Sequence, residues 1–162
     1  MKSLWLSVIP VVVACLFLAS GCRSTPKLGG VPVSIAQYRP TTLDTQASLT
    51  LRFNNENVFP LAIANMGGKL YLNETYVGHF EIKDAVGVPQ LGAINRDTVL
   101  FIENAAYITQ LRTSSSAPSI PYRMEILMHL EVSEEKAKIK AVFTGQIDQA
   151  ALSAKPVAAS KN

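Results

Sequence analysis

Ile120-Pro121-Tyr122-Arg123-Met124-Glu125-Ile126-Leu127-Met128-His129-Leu130-Glu131-Val132 is the stretch on which the reading of the fold turns. Its even-numbered residues are apolar throughout, while Arg123, Glu125, His129 and Glu131 between them are polar, Leu127 being the exception. A period of two sends successive side chains to opposite faces of a strand. A second run answers the first: Ala137, Ile139, Ala141 and Phe143 alternate with Lys136, Lys138 and Lys140. Ser133-Glu134-Glu135-Lys136 separates them, so the two runs read as one antiparallel hairpin. With Ser133 opposite Lys136, Glu131 faces Lys138 and His129 faces Lys140 on the wet side. Leu130 then faces Ile139, Met128 faces Ala141 and Ile126 faces Phe143 on the dry side. A slip of one residue would mix the two faces.

The same alternation recurs upstream. Val31, Val33 and Ile35 alternate with small or polar neighbours, and Ala47, Leu49, Leu51 and Phe53 with Ser48, Thr50, Arg52 and Asn54. Tyr76, Gly78, Phe80 and Ile82 alternate with Val77, His79, Glu81 and Lys83. Asn54-Asn55-Glu56-Asn57, Asn65-Met66-Gly67-Gly68 and Asn73-Glu74 supply turn or bulge signals. Gly67-Gly68 inside a strand-like stretch predicts a bulge or a sharp bend. One short helix is expected, from Asn104 to Leu111, ahead of the Ser114-Ser115-Ser116-Ala117-Pro118 loop. About six or seven short strands with frequent turns predict an all-β, antiparallel β-sandwich.

Outside that domain the chain reads differently. Lys2 precedes an uncharged apolar run that ends in Ala19-Ser20-Gly21-Cys22. A positive start, an apolar middle and small residues before a cut make a secretory signal over residues 1–21. The small residues followed by cysteine resemble a bacterial lipobox, in which Cys22 becomes the lipidated first residue. An uncleaved anchor is the alternative, since nothing between Lys2 and Arg23 is charged. Residues 22–30 form a Pro/Gly-containing linker, 31–149 the domain, and 150–162 an Ala/Ser/Lys-rich tail expected to be disordered. Export and lipidation place the protein in the bacterial cell envelope. Arg23 after Cys22, rather than aspartate, points to the outer membrane facing the periplasm.

Composition removes several functions. Cys15 leaves with the signal and Cys22 carries lipid, so the domain has no thiol for a disulfide, a zinc site or a nucleophile. Of the 15 Lys and Arg, Lys2, Arg23, Lys27, Lys155 and Lys161 lie in the tails. The domain is therefore left slightly acidic despite a net charge of +3, which excludes a nucleic-acid binder.

Strand Ala47–Phe53, followed by Asn55-Glu56-Asn57-Val58-Phe59-Pro60-Leu61, resembles the late-embryogenesis-abundant type 2 family, also called the WHy domain. That family carries Asn-x-Asn, then proline and an apolar strand. Leu70-Tyr71-Leu72-Asn73-Glu74-Thr75-Tyr76-Val77-Gly78 resembles its second hairpin, and Ile120–Leu130 with Phe143-Thr144-Gly145-Gln146 its closing strands. The resemblance covers Val31 to Asp148; Glu56 stands where the family often has proline. It implies a fibronectin-type-III-like (immunoglobulin-like) sandwich and a non-catalytic module that protects proteins or membranes under desiccation or osmotic stress. The implied partners are the membrane, through lipid such as palmitate on Cys22, and partly unfolded clients. A structural or adaptor lipoprotein docking an envelope protein through a sheet edge is the alternative.

The residues add no chemistry to that expectation. His79 and His129 fall on polar strand faces with no second ligand at metal spacing. Glu134-Glu135 reads as a charged turn, Ser114-Ser115-Ser116 as a loop without a Gly-x-Ser-x-Gly elbow, and Asn73-Glu74-Thr75 as a turn rather than a glycosylation site. No phosphate loop or dinucleotide fingerprint occurs. The expectation is no enzyme, no cofactor, no metal and no catalytic residue. Asn55 and Asn57 are expected to cap backbone groups in a turn.

Overall fold

The computed structural model describes residues 30–114, 117–132 and 135–158. The signal segment 1–21, the Cys22 attachment site, nearly all of the linker and residues 159–162 lie outside the described residues.

Among the described residues eight strands form one sheet: β1 (Val33–Pro40), β2 (Gln46–Asn54), β3 (Leu61–Leu72), β4 (Thr75–Ile82), β5 (Val86–Val88), β6 (Ala93–Ile102), β7 (Ser119–Val132) and β8 (Glu135–Asp148). Their order is β1-β2-β6-β4-β3-β7-β8, with β5 paired to the start of β3. Every pairing is antiparallel. The sheet curls into a half-barrel around a single core. Leu49, Leu51, Phe53 and Leu100 from one side meet Met66, Leu70, Met124 and Ile126 from the other.

All-β, antiparallel architecture matches the expectation, but two separate sheets are not what the chain forms. The reason is a short seam. β4 and β6 pair at Gly78↔Ile102, His79↔Phe101 and Phe80↔Leu100, which keeps the β1-β2-β6 side joined to the β4-β3-β7-β8 side. Gly78 is needed there because a Cβ would sit 2.0 Å from the Phe101 carbonyl oxygen.

The closing hairpin has the expected faces in a corrected register. Leu130 faces Ala137, Met128 faces Ile139, Ile126 faces Ala141 and Met124 faces Phe143. Glu131 faces Lys136 and His129 faces Lys138. Val132 pairs with Glu135, so the connection is two residues long and lies one position earlier than expected. The resulting shift of two preserves which side chains point inward. It also sets large residues against small ones, Leu130 on Ala137 and Ile126 on Ala141.

Bulges fall elsewhere than the glycines suggest. β3 is irregular between Ile63 and Asn65 against β7, and between Leu70 and Tyr71 against β4. Gly67 and Gly68 pair regularly on both sides, with Met66 in the core beside them. The second irregularity changes the phase of β4. Val77 is buried at 0% exposure, while Tyr76, expected inside, lies on the outer face.

Among the described residues two helices occur rather than one. α1 (Ala105–Ser114) starts at Asn104, whose Oδ1 accepts from Tyr107 N at 3.2 Å, and it buries Ile108 and Leu111. α2 (Gln149–Leu152) is capped by Asp148 and buries Leu152 completely. Residues 150–158 therefore do not behave as the expected free tail. Val157 N donates to Pro40 O and Thr42 N donates to Val157 O, both at 3.0 Å, so the segment forms one parallel bridge at the end of β1.

Candidate functional site

The outer face of β4, β3 and β7 carries a connected aromatic and ionic cluster. Tyr76 donates to Glu103 Oε1 at 2.8 Å, and His79 Nδ1 lies 2.7 Å from the same oxygen. The seam pairing His79↔Phe101 stacks the two rings with centroids 5.4 Å apart. Tyr71 packs against Tyr76 at 5.5 Å, and the Arg123 guanidinium lies 3.9 Å over the Tyr71 ring. Arg123 also pairs with Glu74 at 2.8 Å and with Glu125. Glu74 is presented from a two-residue turn in which Asn73 and Glu74 both have positive φ.

The charges respond to these contacts. Hydrogen bonds from Tyr76 and then His79 hold the Glu103 carboxyl below its usual range. Burial, followed by the bond to Glu103, pushes the Tyr76 phenol up to about 12. Glu74 and then Glu125 raise the Arg123 guanidinium further. The cluster is a charged platform that includes the Tyr71, Tyr76 and Phe101 rings.

Next to this platform lies a hollow of about 650 Å³ floored by Gly67 and bordered by Lys69, Leu127, Lys140 and Val142. A second hollow, of about 790 Å³, opens where β4 and β6 part beyond the seam. Its charged groups are already engaged: Arg96 with Asp84 at 3.4 Å, Lys83 with Glu81 at 3.5 Å, and Asp97 with the Thr50 hydroxyl at 2.6 Å. A third, of about 420 Å³, follows the approach of β1 to β8.

The residues singled out from sequence divide. His79 joins the cluster through Glu103, a partner distant in sequence. His129 is half-buried, and its Nε2 has no hydrogen-bond partner among the described residues. No group of three or more His, Cys, Asp or Glu is placed to hold a metal ion among the described residues. Asn55 and Asn57 are buried in a loop lock: Asn55 Nδ2 donates to the carbonyls of Phe59, Val88 and Pro89, and Asn55 Oδ1 accepts from Asn57 N and Nδ2. Residues 115, 116, 133 and 134 lie outside the described residues. The cluster of Tyr71, Tyr76, Glu103 and Arg123 was not legible beforehand, because the β3–β4 irregularity that turns Tyr76 outward leaves no period-two signal.

No protein-family model matches the chain, and no curated protein matches it. Solved structures do. A solution structure of a protein provisionally named as late embryogenesis abundant is similar with a TM-score of 0.50 and 15% identity, covering 88% of this chain and 84% of the other. A solution structure from Arabidopsis thaliana is similar with a TM-score of 0.52 and 13% identity, covering 76% and 86%. At such identities the likeness is one of fold. The chain has an all-β fold of the kind these structures have.

Proposed function

We propose that the chain is a lipid-tethered, non-catalytic module that covers apolar surface on partly unfolded neighbours in the bacterial cell envelope during water loss. The observation that carries this reading is the fold shared with a protein named for late embryogenesis abundance over 88% of the chain. In this reading the fold belongs to the type 2 (WHy) family, its fibronectin-like layers remaining joined at the Gly78 seam. The tether is lipid on Cys22, and the outer membrane facing the periplasm is the location. Drying exposes apolar surface, and a rigid domain held nearby at high effective concentration slows its aggregation. The outer face supports a binding role through its aromatic platform and adjoining hollow. A structural or adaptor lipoprotein is the second reading, favoured by the 14-residue β8 strand at the end of the sheet.

The deciding assay dries a labile enzyme with the full chain in detergent, against an equal mass of inert protein in the same detergent. The expected result is greater residual activity with the chain; equal loss removes the protective reading and promotes the adaptor. For the tether, metabolic labelling with a palmitate analogue should mark the wild-type protein and leave Cys22→Ala unlabelled. Label retained on that variant would overturn the attachment site.

A further inference from the structure

Val58 and Leu91 are the two most exposed large apolar residues among the described ones, at 72% and 68%. They sit on neighbouring loops that are locked together. Leu91 N donates to Asn57 O at 3.0 Å, and the carbonyls of Phe59 and Pro89 both accept from the Asn55 amide. Pro60 and Pro89 beside them are exposed as well. A single apolar side chain on a surface needs no explanation, whereas several on two joined loops make a patch.

Leu91 is there against its own backbone. Gly92 N bonds to Pro89 O at 3.3 Å, closing a turn in which Leu91 is the third residue, with φ of 47°. Glycine or asparagine ordinarily fills that place, because a bulky apolar side chain is strained in it. With most of its surface in water, Leu91 gains little burial to offset that strain. Folding alone favours asparagine here, so the leucine answers to something outside the domain.

The start of the described chain says what lies outside. Gly30 O accepts from Glu56 N at 3.5 Å, and a Cβ on Gly30 would come 3.3 Å from Glu56 Oε2. The chain that leads back to Cys22 therefore leaves the domain beside the Val58 loop. At no more than about 3.6 Å per residue, residues 23–30 span less than about 30 Å. The 14-residue β7 is longer, about 46 Å at 3.3 Å per residue. A tether of that reach keeps this end of the sheet nearest to whatever holds Cys22. Glu56 is the only charged residue in loops 55–60 and 89–92. At the same end of the sheet Glu131 and Lys136 pair with each other at 3.8 Å.

We propose that Val58 and Leu91 dip into the lipid surface of the membrane that holds Cys22, giving the domain a second, apolar contact with the bilayer. The proposal rests on the reading of the chain as lipid-tethered and adds how the tethered domain stands. A lipid surface suits the patch better than a protein partner. Neither residue lines any of the three hollows described above, and a partner's anchoring side chain needs a pocket. The boundary between headgroups and acyl chains accepts protruding apolar tips without one. With no cationic residue in either loop, the contact is apolar and resists salt.

The test uses the full lipidated chain in neutral phosphatidylcholine vesicles. An environment-sensitive fluorophore is placed on Val58→Cys, on Leu91→Cys, or on Ala106→Cys, an exposed position of α1 beyond the opposite end of β6. With the signal removed and Cys22 lipidated, the introduced cysteine is the one free thiol. The expected result is blue-shifted emission from the first two labels, quenched by brominated acyl chains and unchanged in about 1 M salt. The Ala106 label should keep a water-like spectrum. Leu91→Asn should melt at the same temperature or higher and still lessen quenching of the Val58 label, which separates loss of the contact from loss of the fold. Water-like labels at Val58 and Leu91 on vesicles that carry the protein overturn the proposal and leave the tether standing. Equal quenching at Ala106, or undiminished quenching in Leu91→Asn, also overturns it. Labels shielded in native envelope membranes but not on vesicles assign the patch to a protein partner and overturn it too. A wild-type chain that takes the fluorophore, or fails to float with the vesicles, removes the tether and the proposal with it.

Discussion

Asn55 is 1% exposed and its amide joins three carbonyls, those of Phe59 at 2.9 Å, Val88 at 3.3 Å and Pro89 at 3.0 Å. Those carbonyls come from the loop before β3 and from the end of β5 with the residue after it, so the side chain acts as a rivet between two distant segments. Asn55→Ala would leave buried acceptors and the Asn57 N–H without it, and should destabilise the fold by about 3 kcal/mol in chemical denaturation. Tyr76 and Glu103 give a second residue-scale expectation. The Tyr76 phenol rises from 10.0 to about 12 in the folded protein, so the folded state holds that proton more tightly. Its contribution is present below pH 10 and is lost as pH climbs toward 12. Glu103 works in the opposite sense, contributing above 4.5 and losing that contribution as pH falls through its depressed folded value. Melting curves of Tyr76→Phe should therefore lose less stability between pH 10 and pH 12 than those of the wild type.

Among the elements, the β4–β6 seam is the narrowest join in the sheet's path, with three paired positions against fourteen in the β7–β8 hairpin. Gly78 permits the approach, since a Cβ there would overlap the Phe101 carbonyl. Gly78→Ala must part the strands, and a cost of about 2–4 kcal/mol is expected from strain and disturbed packing. Amide exchange should report it locally, with His79 and Phe101 losing protection more than the β7–β8 hairpin. Uniform loss across both would show that the seam does not hinge separately. Tyr122 ties the curl on the other side: its hydroxyl accepts from Ile35 N at 3.1 Å, and Gly145 leaves the room for its ring.

For the whole molecule, the half-barrel is completed by the segment beyond Gln149. Leu152 is fully buried, Gln149 Nε2 donates to Leu111 O at 2.8 Å, and Val157 bonds to Pro40 at the end of β1 and to Thr42 beyond it. Leu152→Ala should cost about 3 kcal/mol, in the range for emptying a buried leucine site. Ending the chain at Gln149 should lower stability by more than that, because the β1 contacts go as well. Equal midpoints for the truncated and full chains in urea would mean that the segment merely lies on the surface.

Period two was readable residue by residue: Ile120 to Leu130 alternates with Leu127 as the exception, and the even positions are buried. The sequence by itself therefore determined an all-β antiparallel domain, its closing hairpin, its short helix near Asn104 and the structural role of Asn55. These depend on local alternation, turn chemistry and capping, which act within a few residues. The tether at Cys22 was read from the same kind of local pattern and lies outside the described residues. Tertiary structure alone decided the rest. The hairpin register lies two residues from the one that alternation suggests, and faces are unchanged by an even shift, so alternation alone does not distinguish the two. Tyr76 turned outward because an irregularity in strand pairing carries no signature in alternation. Leu152 became core because α1, β1 and β7 together leave a place for it. The outer cluster and the hollow over Gly67 each gather residues from four strands, and proximity of that kind exists only once the sheet has formed.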